Sequence, residues 1–181
     1  MKPGKRIFLT GMMGSGKSTV GPLLAGALGW RFVDLDERVA AKAGLPVAEI
    51  FRKLGEARFR SLEAGLLKSC SRRSSVVVAT GGGAVLLEDN RRWMEERGLK
   101  VYLKAPPEAL WPRLKKGGVQ SRPLLAGGGL DRYRAIYRQR KELFEEASVV
   151  VAATGSPAKV RDRILGIWGR ALKGLDTHGG G

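Results

Sequence analysis

The fold follows from one stretch of the sequence, Gly11-Met12-Met13-Gly14-Ser15-Gly16-Lys17-Ser18. It has the pattern G-x-x-x-x-G-K-[ST] of a phosphate-binding loop, whose glycines let successive backbone N–H groups point at a phosphate. Lys17 supplies a mobile positive charge to the outer phosphates, and the Ser18 hydroxyl is placed to bind Mg²⁺. The loop residues expected to contact ATP are Gly14, Ser15, Gly16, Lys17, Ser18 and Thr19.

The residues on either side of this loop supply the context that the motif needs. An apolar run over residues 7–10 precedes the loop and predicts a strand, and apolar residues at helical spacing follow it over residues 20–28. Strand, loop and helix therefore occur in the required order, and the helix directs the positive end of its dipole at the phosphates. This context disfavours the alternative, a glycine-rich turn without a ligand.

Five short runs of β-branched or aliphatic residues alternate with helical patterns along most of the chain. The runs cover residues 6–10, 31–33, 75–80, 100–104 and 148–152. Nearly continuous apolar strands separated by helices predict a parallel sheet covered on both faces, which is a three-layer α/β fold. The length of 181 residues suggests one domain, which we place at residues 1–174. Residues 175–181 lack periodicity, and we expect them to form a disordered tail.

The net charge of +16 predicts attraction to anionic partners through long-range electrostatics. The basic residues are scattered over several elements, and no basic strip interleaved with aromatic residues is visible. A basic surface that steers small anionic molecules is therefore the simpler interpretation, and we expect no nucleic-acid partner. A nucleotide-dependent nucleic-acid-binding module remains the rival from a different class.

The composition also bears on the compartment. No apolar run approaches the roughly 18–20 residues that a membrane helix needs, and the first residues lead into a strand rather than a signal-peptide core. The single cysteine, Cys70, cannot form an internal disulfide, which fits a reducing compartment. We therefore expect a cytoplasmic protein without a membrane partner. The only histidine, His178, lies in the expected tail, which excludes a histidine base or a histidine metal cluster.

Two carboxylates, Asp34 and Asp36, follow the second strand. Ligands of open parallel sheets bind at the carboxyl ends of the strands, so these acids are expected beside the nucleotide. One would face the metal and the other a substrate hydroxyl. The alternative is a helix N-cap, because Asp is favoured at that position and acids suit a first turn.

Three further stretches carry candidate binding groups. Glu56 and Glu63 flank Arg60 at helical spacing and would hold its guanidinium in place, although a surface row of salt bridges is the alternative. The same helix pattern predicts that Phe59, Leu62, Leu66 and Cys70 form its buried stripe. Gly81-Gly82-Gly83 ends the third strand and would permit close approach of a ligand, rather than only a tight turn.

The last third of the chain contributes two more arginines. Arg122 lies in a glycine-flanked, basic segment over about residues 115–129, which suggests either a lid that brings this charge onto phosphates or merely a mobile loop. Arg140 falls within the apolar stripe of the next helix. A buried arginine needs a partner, either an internal acid or an anionic substrate group, and we prefer the substrate.

Together these motifs resemble the shikimate kinase family of phosphate-loop folds. The matching stretches, in the family's order, are residues 11–19, Asp34-Leu35-Asp36, Gly55-Glu56 with Phe59-Arg60 and Glu63, Gly81-Gly82-Gly83, Arg122-Pro123-Leu124-Leu125, and Tyr133-Arg134 through Arg140. The resemblance implies transfer of the γ-phosphoryl group of ATP, with Mg²⁺, to the 3-hydroxyl of shikimate in aromatic amino-acid biosynthesis. It also implies a five-stranded parallel sheet in the order 2-3-1-4-5, a mobile lid and a monomer.

The resemblance further implies a role for each matching residue. At the acceptor, Asp36 would bind the hydroxyl and take its proton, Arg60 and Arg140 would hold the carboxylate, and Gly82 and Gly83 would approach the ring hydroxyls. At the nucleotide, Asp34 would reach Mg²⁺ through water and Arg122 would lie on the phosphates. The implied catalytic residues are Lys17, Asp36 and Arg122.

The chain departs from the pattern of the shikimate kinase family at one position of the nucleotide site. Many relatives have an arginine near the adenine, where this chain has Lys115-Lys116, so guanidinium stacking on the base is in doubt.

A related sugar-acid kinase of the gluconate type is a rival with the same fold, because its acceptor also carries a carboxylate and hydroxyls. The three glycines and Arg122-Pro123 favour shikimate.

Overall fold

The computed structural model describes residues 5–70, 75–116, 122–125 and 127–176. Its centre is a five-stranded sheet formed by β1 (Arg6–Thr10), β2 (Arg31–Asp34), β3 (Val76–Ala79), β4 (Leu99–Lys104) and β5 (Val149–Ala152). All strand pairs are parallel and their order is β2-β3-β1-β4-β5. This confirms the predicted parallel sheet and its implied order, with strand bounds within one residue of those expected.

Seven helices surround the sheet in the described residues. They are α1 (Lys17–Leu28), α2 (Leu35–Ala43), α3 (Val47–Cys70), α4 (Glu88–Arg97), α5 (Pro107–Lys116), α6 (Gly129–Glu145) and α7 (Pro157–Asp176). Neighbouring residues of β1, Phe8 and Leu9, point to opposite faces of the sheet and are both fully buried. The sheet is therefore covered on both faces, as the continuous apolar strands predict.

Two predicted segments are described only in part. Residues 117–121 and 126 of the expected lid and residues 177–181 of the expected tail lie outside the described residues. The described part of the lid forms a short 3-10 turn over Pro123–Leu125, and α7 extends to Asp176. None of the helices in the described ranges is both long and apolar enough to cross a lipid bilayer.

The inner face of α3 differs from the predicted stripe. Phe59 is buried as expected, but Leu62, Leu66 and Cys70 are partly exposed, and the buried positions after Phe59 are Glu63 and Leu67. Within α3, Gly55 has φ 80° and ψ 163°, which breaks the helical geometry just before the turn that carries Arg60. The carboxylate of Glu63 thereby faces the interior of the protein.

Candidate active site

The phosphate-binding loop connects β1 to α1 and curls around the end of β1. Gly14 and Gly16 have φ values of 81° and 92°, a region that glycine adopts without strain. The Nζ atom of Lys17 donates to the carbonyl oxygens of Gly11, at 2.7 Å, and Met12, at 3.0 Å. Only 9% of Lys17 is exposed, and this burial lowers its pKa to about 8. The loop therefore holds a desolvated ammonium group where phosphates would bind.

Asp34 caps α2 and also contacts the phosphate-binding loop. Its Oδ1 accepts hydrogen bonds from the backbone N–H groups of Asp36, at 3.0 Å, and Glu37, at 3.5 Å, so it caps α2. Its Oδ2 accepts a hydrogen bond of 2.6 Å from the Ser18 hydroxyl. The cap thus orients the carboxylate so that its second oxygen lies at the phosphate-binding loop.

Oxygen ligands at this point suit Mg²⁺. A hydroxyl and a carboxylate beside a phosphate-binding loop are the protein ligands that Mg²⁺ takes together with nucleotide phosphates. No group of three or more His, Cys, Asp or Glu side chains able to hold a metal occurs in the described residues. The hydroxyl and carboxylate oxygens of Ser18 and Asp34 fit Mg²⁺ bound together with nucleotide phosphates.

Asp36 lies between the phosphate-binding loop and two arginines, Arg60 and Arg140. Burial is the largest cause of a raised pKa for its carboxyl group, followed by the charge of Asp34. The charges of Lys17, Arg122 and Arg60 act in the opposite direction. The guanidinium of Arg122 approaches within 3.6 Å of Asp36 Oδ2. This carboxylate is therefore surrounded by cations and readier to accept a proton than an exposed aspartate.

Arg60 is held from both sides by acids of its own helix. Its guanidinium contacts Glu56 Oε1 at 3.0 Å and Glu63 Oε2 at 2.8 Å, and it lies 5.1 Å from the centroid of the Phe59 ring. Glu63 is fully buried and the side chain of Arg60 is only 11% exposed. The alternative of a surface row of salt bridges is therefore wrong, because the pair with Glu63 lies inside the protein.

The three glycines after β3 leave room for these side chains. A Cβ on Gly81 would overlap the carboxylate of Glu63, and a Cβ on Gly83 would overlap the guanidinium of Arg60. The carbonyl of Gly82 accepts a hydrogen bond of 3.1 Å from Arg140. Gly81 and Gly83 are thus required by the packing of the protein's own charged groups, in addition to any approach by a ligand, whereas a Cβ on Gly82 would make only ordinary contacts.

Arg140 is buried without an acid of its own. It is 5% exposed, its Nε has no hydrogen-bond partner within the described parts of the chain, and no salt bridge to it occurs there. Burial, followed by the charge of Arg60, lowers its pKa to about 10, so it stays charged at neutral pH. An internal ion pair, the alternative partner for this arginine, does not form among the described residues.

Two adjoining cavities contain every residue predicted for the site. The nucleotide cavity, of about 390 Å³, is lined by Gly14, Ser15, Gly16, Lys17, Ser18, Thr19, Asp34 and Asp36, among others. The acceptor cavity is lined by Asp36, Arg60, Gly81, Gly82, Gly83 and Arg140, among others. The two cavities share four residues, Met13, Asp36, Gly82 and Arg122. Arg60 and Arg140 therefore face the same small space, across Asp36 from the phosphate-binding loop.

The far wall of the nucleotide cavity contains an arginine that sequence reasoning missed. Arg113 lines this wall together with Ala153, Gly155 and Pro157, and its guanidinium donates to the Ala153 carbonyl at 2.9 Å. Lys115 and Lys116 are exposed at the end of α5. No local pattern identifies Arg113, because its contact with Ala153 depends on how α5 packs against the loop after β5.

The fold and the two adjoining cavities define a small-molecule kinase of the phosphate-loop class. A family model described as Shikimate kinase matches residues 13–167, and the chain belongs to the shikimate kinase family. It is 38% identical over 163 residues to a shikimate kinase of Persephonella marina, an alignment that covers 90% of this chain and 98% of the relative.

Solved structures agree with this assignment. The structure of a shikimate kinase from Acinetobacter baumannii in complex with shikimate matches with a TM-score of 0.86 and 34% identity, covering 96% of each chain. A gluconokinase from Sinorhizobium meliloti matches with a TM-score of 0.62 and 21% identity, covering 99% of each chain. The second likeness shows a shared fold alone.

Proposed function

We propose that this chain transfers the γ-phosphoryl group of ATP to the 3-hydroxyl of shikimate, giving ADP and shikimate 3-phosphate. The observation that carries the proposal is the wall between the two cavities. Asp36 belongs to both, with the Lys17 loop on one side and the guanidinium groups of Arg60 and Arg140 on the other. An acceptor with a hydroxyl at one end and a carboxylate at the other matches this arrangement.

On the acceptor side, two arginines bind the carboxylate. Arg60 is fixed by Glu56 and Glu63, whereas Arg140 is buried with an unpaired Nε, so an anion between them gains charge-assisted hydrogen bonds. The backbone of Gly82 and Gly83 approaches the ring hydroxyls. Arg60 and Arg140, which we call the carboxylate clamp, would bind the end of the substrate away from the reacting hydroxyl. The clamp therefore orients the substrate.

On the reacting side, phosphoryl transfer depends on positioning and charge neutralisation. Asp36 binds the acceptor hydroxyl and takes its proton, a role that fits its raised pKa. Lys17 and Arg122 neutralise charge on the transferring group. Ser18 directly, and Asp34 through water, hold the Mg²⁺ that accompanies ATP, and this ion supplies further neutralisation of the phosphate oxygens.

A coupled assay of ADP release tests the substrate. With ATP and Mg²⁺ present, shikimate should support turnover and gluconate should not, because the three glycines and Arg122-Pro123 that favour shikimate all line the acceptor cavity. Identification of shikimate 3-phosphate by mass spectrometry completes the result. Turnover with gluconate but not shikimate would leave the kinase class and remove the proposed acceptor.

We also propose that the chain is a cytoplasmic monomer without a nucleic-acid partner. Its single domain covers residues 1–174. Every residue predicted for the site lines one of the two cavities within a single copy of the chain, and this supports the proposal of a monomer. The basic charge is then explained by attraction of two anionic substrates. Light scattering of the active protein at assay concentration measures the oligomeric state.

The lowered pKa of Lys17 predicts the pH dependence of ATP capture. Below pH 8 the lysine is charged, and above its pKa of about 8 it loses the proton with which it attracts phosphates. The kcat/KM for ATP should therefore be level near pH 7 and fall by up to about tenfold per pH unit well above pH 8. Lys17→Arg keeps its charge over this range and should lack the fall, whatever its absolute rate. A level profile for the unmodified protein from pH 7 to 9.5 would contradict the assignment.

A further inference from the structure

A tyrosine that takes no part in the chemistry above connects α6 to the phosphate-binding loop. Tyr133 is fully buried, and its hydroxyl donates a hydrogen bond of 2.7 Å to the carbonyl of Met13. Burial raises the pKa of this phenol, so it remains protonated and able to donate. The ring packs against Trp111 of α5 at a centroid distance of 5.6 Å.

The acceptor of this hydrogen bond lies at the boundary between the two cavities. Met13 lines both of them. It also packs against Gly82, because a Cβ built on that glycine would lie 3.6 Å from Met13 Cγ and 3.6 Å from its backbone nitrogen. A displacement of the Met13 backbone would therefore move a wall of the nucleotide cavity and a wall of the acceptor cavity together.

The same helix reaches the boundary a second time. Arg140 stands seven residues after Tyr133, which is two helical turns, so both side chains leave the same buried face of α6. The guanidinium of Arg140 donates to the Gly82 carbonyl at 3.1 Å. Tyr133, Met13, Gly82 and Arg140 thus form a closed ring of contacts whose two ends meet in one rigid helix.

We propose that Tyr133 is a positioning residue that fixes the phosphate-binding loop relative to the carboxylate clamp. The proposal rests on the function proposed above. The α6 helix contacts the loop through Tyr133 and would hold the acceptor carboxylate through Arg140, so its position affects the distance between the γ-phosphate and the acceptor hydroxyl. In-line transfer is sensitive to small errors in that distance.

A purely structural role is the competing interpretation. A buried carbonyl needs a hydrogen-bond donor, and Tyr133 supplies one to Met13 whether or not the loop's position matters to catalysis. That role would change thermal stability but not the fate of bound ATP. A misplaced loop, in contrast, lets water compete with the acceptor, so more ADP forms per acceptor phosphorylated.

The test compares Tyr133→Phe with Tyr137→Phe on the same helix. Both lose one hydroxyl and neither residue lines a cavity, but of the two hydroxyls in the described structure it is that of Tyr133 that donates to the phosphate-binding loop. Well below the melting temperature, we expect Tyr133→Phe to lower kcat about tenfold, to change both KM values less than about threefold, and to raise the ratio of ADP to shikimate 3-phosphate. Tyr137→Phe should leave kcat and this ratio unchanged.

A second variant tests the inference if Tyr133→Phe does not fold. Trp111→Leu keeps the Tyr133 hydroxyl but removes the ring that packs on it, and it should raise the same ratio to a smaller extent. An unchanged kcat and ratio in folded Tyr133→Phe, or in Trp111→Leu if the first does not fold, would overturn the inference. The unmodified protein in the same assay reports on the proposed function separately, because it must itself phosphorylate shikimate.

Discussion

Lys17→Met should lower kcat by about 10³-fold or more while the protein stays folded. The ammonium group of Lys17 lies at the phosphate-binding loop, held by the carbonyls of Gly11 and Met12. Methionine has a similar length and no charge, so the variant keeps the shape of the loop and loses the cation that neutralises the transferring phosphoryl group. Steady-state assays with saturating ATP and shikimate measure the loss.

The fold should survive this substitution for a physical reason. Burial lowers the pKa of Lys17, which means that the folded protein favours its neutral form more than the unfolded chain does. Replacing it with a neutral side chain removes an unfavourable buried charge but also the hydrogen bonds to the carbonyls of Gly11 and Met12, so the two effects oppose each other and the melting temperature should change little. Lys42→Met, at an exposed position of α2, is the control and should retain full activity. A kcat for Lys17→Met within tenfold of the unmodified protein would contradict the role of Lys17.

The part of the fold around Lys17 was predictable because its signals are local. The loop motif, the strand before it and the helix after it occupy consecutive residues, and β1 and α1 were found where the sequence places them. A parallel sheet also implies that the ends of β1, β2 and β3 meet at one edge. The candidate groups on those three strand ends consequently come together, although the strand order itself came from family resemblance.

The environment of Glu63 was not predictable from the same patterns. Hydrophobic periodicity counts apolar side chains, so it assigned the buried face of α3 to Leu62, Leu66 and Cys70. The structure instead buries Glu63. The ion pair with Arg60 offsets the desolvation of its carboxylate, and the absence of a side chain at Gly81 leaves space for it. Such a position depends on a glycine that is 18 residues away in sequence, and no local rule identifies it.

Arg113 illustrates a second limit of local reasoning. The sequence has Lys115-Lys116 where many relatives have an arginine near the adenine, so no residue was assigned to the adenine end of the site. The side chain that enters the cavity is decided by how α5 packs against the loop after β5, where Arg113 meets the Ala153 carbonyl. That contact joins residues 40 positions apart.

Arg140→Ala is expected to weaken shikimate binding by roughly 30- to 5,000-fold and to leave the KM for ATP within about threefold. Removing one partner of a buried charge pair costs about 2–5 kcal/mol, and the side chain that remains, Arg60, is already engaged by two acids. The nucleotide cavity does not include Arg140 among its described lining residues, so ATP should be little affected. Titration calorimetry with each substrate separately measures the two affinities.

Two further variants show whether charge or geometry is responsible. Arg138→Ala removes an exposed arginine from the same helix and controls for the loss of net charge, so its affinity for shikimate should match that of the unmodified protein. Arg140→Lys keeps a cation but lacks the planar fork, and it should recover only part of the lost affinity if the carboxylate is gripped by two parallel hydrogen bonds. If Arg140→Lys recovers the full affinity for shikimate, a positive charge alone is sufficient at this position and the planar guanidinium is not required. A fall in ATP affinity with shikimate affinity unchanged would place Arg140 on the nucleotide instead, because a residue cannot orient a carboxylate that binds equally well without it.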